Sequence, residues 1–173
     1  MGLLEQTHDF IAPVRREATG DPFDDLVARL GLPRLNDSQD DSSQVPRDPA
    51  LERLLPSAHR DDPEMAAEFR RLTEHGLREG KAANLARAIS ALQTPDGDKI
   101  SLDQEQAQAM VVALTDVRLL LGERLGLRTD EDADTLQDRL EAASEDDPQL
   151  HLAAYYDFMT WLQESLTQSL MDM

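Results

Sequence analysis

Residues 103–126 read DQEQAQAMVVALTDVRLLLGERLG, and this stretch decides the fold class. Asp103, with Gln106 three residues on, is a capping-box helix start. Gly126 is a helix stop. Between them Ala107, Met110, Val111, Leu114, Val117, Leu121 and Leu125 recur at helical spacing. Val112, Leu119 and Leu120 widen the apolar surface well beyond one face. A helix apolar on most sides is buried among others. The reading is therefore an all-α chain, an irregular bundle of about five to seven helices, with this helix at its centre.

Working outward, one starting device occurs four times, at Asp21-Pro22, Asp48-Pro49, Asp62-Pro63 and Asp147-Pro148. The Asp carboxylate accepts from orphan N–H groups, and Pro at the first helical position has no N–H to waste. These starts predict helices over Pro22–Leu30, Pro49–Leu55, Pro63 to about Leu92 and Pro148 to about Met171. A further helix is expected over Gly2–Ala18, interrupted by Pro13, and an acidic one over Thr129–Ala143. The long Pro63 helix has Met65, Phe69 and Leu72 at the start of its apolar stripe and Leu85, Ile89 and Leu92 at the end. Gly76 and Gly80, one turn apart inside it, suggest a close helix crossing or a kink. The last helix is expected to bury Leu150, Ala154, Phe158, Trp161, Leu162, Ser165 and Leu166. Pro95-Asp96-Gly97-Asp98 is a turn, and at most one short extended segment follows at 99–102. The whole reads as a single domain, 1–173, with a flexible acidic loop at about 35–47.

Composition excludes several classes. The formal net charge is -18, which repels nucleic acid at long range and argues against direct DNA or RNA binding. There is no cysteine, so disulfides, thiolate catalysis and Cys-based metal sites are ruled out. No apolar run approaches the roughly 20 residues of a membrane span. The N-terminus lacks signal-peptide character, and a cytoplasmic location is expected. His8, His59, His75 and His151 have no ligand spacing between them, so no metal is expected. Ser101, Ser165 and Ser169 lack a nucleophile elbow, and no Gly-rich phosphate loop is present. The expectation is no catalytic residue, no cofactor and no enzymatic activity.

Two charge patterns stand out. Arg71, Arg78 and Lys81 fall near one face of the long helix and are candidate contacts for an acidic partner peptide or a phosphate. The alternative is local pairing with Glu68, Glu74 and the acidic linkers. Arg118 stands inside the apolar run of the central helix, with Arg124 nearly two turns on. A buried guanidinium needs a partner. A structural buried charge network of Glu68, Arg118, Arg124 and Glu164 is expected, with a ligand clamp as the alternative. Leu166, Leu170, Met171 and Met173 end the chain with apolar residues to cover, by homodimer formation or by packing on the first helix.

Three signatures carry a resemblance. The first is Leu51-Glu52-Arg53-Leu54-Leu55-Pro56 with Arg60-Asp61-Asp62-Pro63 and Glu68-Phe69-Arg70-Arg71-Leu72-Thr73-Glu74. The second is Ala113-Leu114, Asp116, Arg118-Leu119-Leu120-Leu121-Gly122 and Arg124-Leu125-Gly126. The third is Tyr156-Asp157-Phe158 with Trp161-Leu162-Gln163-Glu164-Ser165-Leu166. In this order they resemble the actinobacterial domain-of-unknown-function family numbered two thousand and seventeen, over most of the chain from Pro22 onward. The resemblance implies a cytoplasmic helical protein, often encoded beside the adaptor of the Clp protease and sometimes labelled a transcriptional regulator. It supplies no catalytic residues. The function expected is a non-enzymatic regulatory interaction module whose partner is a protein of transcription or stress-linked proteolysis. The alternatives are a DNA-associated regulator and an enzyme with a pocket in the bundle core.

Overall fold

The computed structural model describes residues 2–13, 47–58, 62–95, 97–144 and 147–172. The helix expected over Pro22–Leu30, the acidic loop apart from Arg47, His59, Arg60 and Met173 lie outside the described residues. The described residues form six helices and no strand: α1 Gly2–Ile11, α2 Pro49–Leu54, α3 Pro63–Leu92, α4 Gln104–Leu125, α5 Asp130–Glu141 and α6 Pro148–Met171. The chain is all-α, and residues 99–102 are non-helical, with a single bridging residue at Lys99 and no strand.

Local chemistry sets the helix ends. Asp48, Asp62 and Asp147 accept from the backbone N–H of Ala50, Met65 and Gln149. At α4, Asp103 Oδ1 accepts from Gln106 N at 2.8 Å and Gln106 Oε1 accepts from Asp103 N at 3.0 Å, so two orphan donors are satisfied reciprocally. Thr129 caps α5. α1 ends at Ile11, at the interruption expected from Pro13, and residues 14–18 lie outside the described residues. Pro13 supplies no N–H and disfavours helical backbone at Ala12.

α4 closes at Gly126, whose φ of 78° lies in the left-handed region, and Leu127 N donates back to Gly122 O at 2.8 Å. An added Cβ at Gly126 meets no atom within 4 Å, so the cost of a side chain there is backbone strain alone. Gly126→Ala is expected to lower stability by about 1 kcal/mol in urea denaturation. A neutral result would show that the α4 terminus relaxes.

α4 is central, as its composition predicts: α1, α2, α3 and α6 all pack on it. Ile11, Leu54, Leu85, Met110, Leu114, Val117 and Leu121 interlock in the main core. Leu125, Leu136 and Ala153 make a smaller cluster under α5. The second half of α3 meets α4 mostly through small residues, Ala82, Leu85, Ala88 and Ala91, all buried.

The first half of α3 departs from expectation. Met65 and Leu72 are 52% and 61% exposed, although they open the predicted stripe. Among the described residues Gly76 and Gly80 make no close crossing; none of their atoms lies within 4 Å of a Cβ built at either. The face of α6 is also corrected. Leu152, Ala153, Tyr156, Met159, Leu162 and Leu166 face the core, while Phe158 and Trp161 stand 49% and 60% exposed. α6 is apolar on two adjacent sides, so periodicity alone does not choose between them.

Candidate interaction groove

α1 and α6 flank the first half of α4, with the segment between α3 and α4 closing one end. Leu3 and Leu4 come from α1, Met110 and Leu114 form the floor, and Tyr155, Phe158, Met159, Leu162 and Leu166 form the α6 wall. Leu92, Ile100 and Leu102 complete an apolar cavity of about 750 Å³. Ile100, Tyr155 and Phe158 are each about half exposed, so the cavity is a groove open to solvent. Beside it Trp161 lies 5.8 Å from the Phe158 ring, centroid to centroid, and extends the aromatic edge.

A polar seam fixes the wall. Arg118 Nη1 donates to Gln163 Oε1 at 2.7 Å, and its guanidinium lies 5.3 Å from the Tyr156 ring centroid. Gln163 Nε2 donates in turn to Thr115 Oγ1 at 2.6 Å. This corrects the expected network. Gln163, not Glu164, faces Arg118, because one residue along a helix turns a side chain by about 100°. Glu164 is exposed. Glu68 is half-exposed and engaged by Arg71. Arg124 Nη2 reaches Asp48 Oδ2 at 3.0 Å, joining the end of α4 to the start of α2 at the surface. The four residues therefore form no common network.

The predicted basic stripe is spent inside the chain. Arg71 Nη2 donates to Glu68 Oε1 at 2.6 Å in an exposed pair that contributes little. Arg78 donates to Glu74 Oε1 at 2.9 Å and to Ile11 O at 3.0 Å, capping the end of α1. Lys81 Nζ donates to Asp116 Oδ1 at 2.5 Å, and Asp116 is only 1% exposed. Burial pushes the Asp116 carboxyl above the ordinary carboxylate range against the pull of Lys81. The Lys81–Asp116 pair was missed by sequence reasoning. Its signal is a carboxylate within the apolar run of a helix buried on most sides.

Glu74 also receives Arg47, at 2.6 and 2.7 Å. Burial alone pushes its carboxyl up, but hydrogen bonds and charge from Arg78 and Arg47 outweigh it and hold it below the usual range. A lowered folded value contributes stability above the unfolded value, and that stability is lost as pH falls through it. Glu74→Gln is therefore expected to be less stable than the parent at pH 7, by about 1–2 kcal/mol. The gap should narrow as the pH drops below about 4. Urea midpoints across that window test this, and a gap independent of pH would refute it.

Among the described residues no group of three or more His, Asp or Glu side chains is placed to hold a metal ion. No helix among them is long and apolar enough to cross a membrane. The sequence model of the family described as Domain of unknown function (DUF2017) matches residues 1–170. The chain belongs to the DUF2017 family. The match begins ahead of Pro22 and takes in α1, so every residue lining the groove of this DUF2017 chain lies within it. No curated protein and no solved structure matches the chain. In this DUF2017 fold the second signature supplies Asp116 and Arg118, and the third supplies Phe158, Trp161, Leu162, Gln163 and Leu166. Arg118 and Gln163 of these signatures bond across the seam, and Phe158, Leu162 and Leu166 lie on the groove wall.

Proposed function

We propose that this DUF2017 chain is a non-enzymatic regulatory interaction module of the cytoplasm that engages a protein partner through the groove between α1 and α6. The observation that carries this reading is an apolar groove left open, with Tyr155, Phe158 and Trp161 about half exposed or more along its α6 edge. Aromatic side chains clustered on a concave apolar surface are the composition of interface cores. Soluble chains seldom leave such patches without use. Arg78 and Lys81, by contrast, are held in intramolecular bonds, which moves the expected contact surface from α3 to α6. The partner class proposed, a protein of transcription or stress-linked proteolysis, is the one the sequence resemblance implies.

The test is affinity capture from a lysate of the native host, with the full chain and its Phe158→Asp variant side by side. A protein recovered by the parent and lost with the variant supports the reading. Identical recoveries from the two baits would count against it.

A further inference from the structure

The chemistry of the groove walls narrows the occupant, on the premise that the groove is the interaction site. The two flanking helices carry Glu5, Asp9, Asp157 and Glu164 and neither Lys nor Arg. All four carboxylates are exposed. The cation adjacent in sequence to a groove-lining residue is Lys99, beside Ile100 at the closed end. These walls belong to a chain of net charge -18. An occupant therefore meets an apolar floor bordered by anionic helices. An anionic lipid or metabolite would find no cation on either flanking helix for its head group. A second copy of the chain would bring another -18 charges to the same face.

Shape supplies the second constraint. The α6 wall runs from Tyr155 to Leu166, roughly 17 Å along the helix axis at about 1.5 Å per residue. This is about three helical turns. An α6 wall facing the first turns of α1 across an apolar floor is the kind of trough that receives the apolar stripe of another helix. We propose that the groove seats an amphipathic helix of about three to four turns, with an apolar stripe at i, i+4 and i+7 bordered by Lys and Arg.

The probe is a labelled synthetic peptide of about 16 residues, free of Trp, with Leu at those positions and Lys on the flanks. Its twin carries Glu in place of Lys, and a scrambled peptide keeps the composition without the stripe. Binding to the full chain is followed by anisotropy of the label and by emission of Trp161, the sole tryptophan. The Lys peptide should bind and shift Trp161 emission, and affinity should fall with salt. The scrambled and Glu peptides should bind at least about tenfold more weakly.

Phe158→Asp is the decisive variant. It adds a negative charge, so a purely electrostatic complex would tighten, whereas a seated helix should lose at least about tenfold in affinity. Tyr155→Ser should weaken binding in the same direction, and circular dichroism checks that both variants fold. Asp157→Asn with Glu164→Gln should flatten the salt dependence. Equal binding of the scrambled peptide, equal binding of the Glu twin, or unchanged affinity of Phe158→Asp would overturn the proposal. So would a stable dimer in sedimentation equilibrium that Phe158→Asp converts to monomer, since the occupant would then be a second copy. If lysate capture depends on Phe158 while the Lys peptide fails to bind, the interaction reading stands and the basic-helix occupant falls.

Discussion

Lys81→Met is expected to cost about 3–5 kcal/mol of stability at neutral pH, among the largest effects of any single substitution in this chain. Lys81 Nζ is the partner of Asp116 Oδ1 at 2.5 Å, and the other carboxylate oxygen is buried without a partner among the described residues. Removing the ammonium leaves a carboxylate that is 1% exposed in the centre of α4 with no counter-charge. Methionine keeps the aliphatic stem, so the loss reports charge and not packing. The sign of the pH dependence follows from the raised Asp116 value. A raised carboxyl contributes stability below its unfolded value, and that stability is lost as pH rises through the folded one. The deficit of Lys81→Met should therefore be smaller near pH 5 than near pH 7.5, because protonation relieves the orphaned carboxylate. Asp116→Asn should cost less, about 1–2 kcal/mol, since its amide oxygen still accepts from Lys81. Chemical denaturation of both variants checks this, and a neutral-pH cost for Lys81→Met below about 1 kcal/mol would mean that solvent screens the pair.

Leu114→Ala is the second large effect, expected at about 3 kcal/mol. Leu114 is 1% exposed and serves two structures at once, the main core and the floor of the groove. Truncation removes transfer energy and leaves a void held open by α1, α3 and α6, because helices packed on a common centre cannot all close in together. Phe158→Ala, on the wall and about half exposed, should cost less than about 1 kcal/mol. An unchanged denaturant slope with a lowered midpoint would mark the Leu114→Ala effect as stability lost within the same fold. Comparable costs at the two positions would mean that the groove wall is as buried as its floor in solution.

Much of the site's scaffold was legible because it is local. The Asp103–Gln106 box, Asp-Pro at three described helix starts, and Gly126 act within a few residues of themselves. So did the position of α4, since a helix apolar on most sides has nowhere to go but inside. The groove was not legible, because α1 and α6 lie some 150 residues apart in the chain and meet only by packing on α4.

The charges divide in the same way. That Arg118 requires a partner follows from its apolar neighbours; that the partner is Gln163 depends on the rotation of α6 by about 100° between adjacent residues. Arg71, Arg78 and Lys81 share a helix face by spacing, yet their roles differ with what stands opposite. Arg71 stays at the surface, Arg78 meets the end of α1, and Lys81 meets a buried carboxylate of α4. The sequence by itself determined which segments are helical, where most of them stop and which one lies at the centre, because backbone capping and apolar periodicity are short-range. Only the tertiary structure decided which side of α6 is covered, which cations are already spent and where an apolar surface is left open, because each depends on long-range packing.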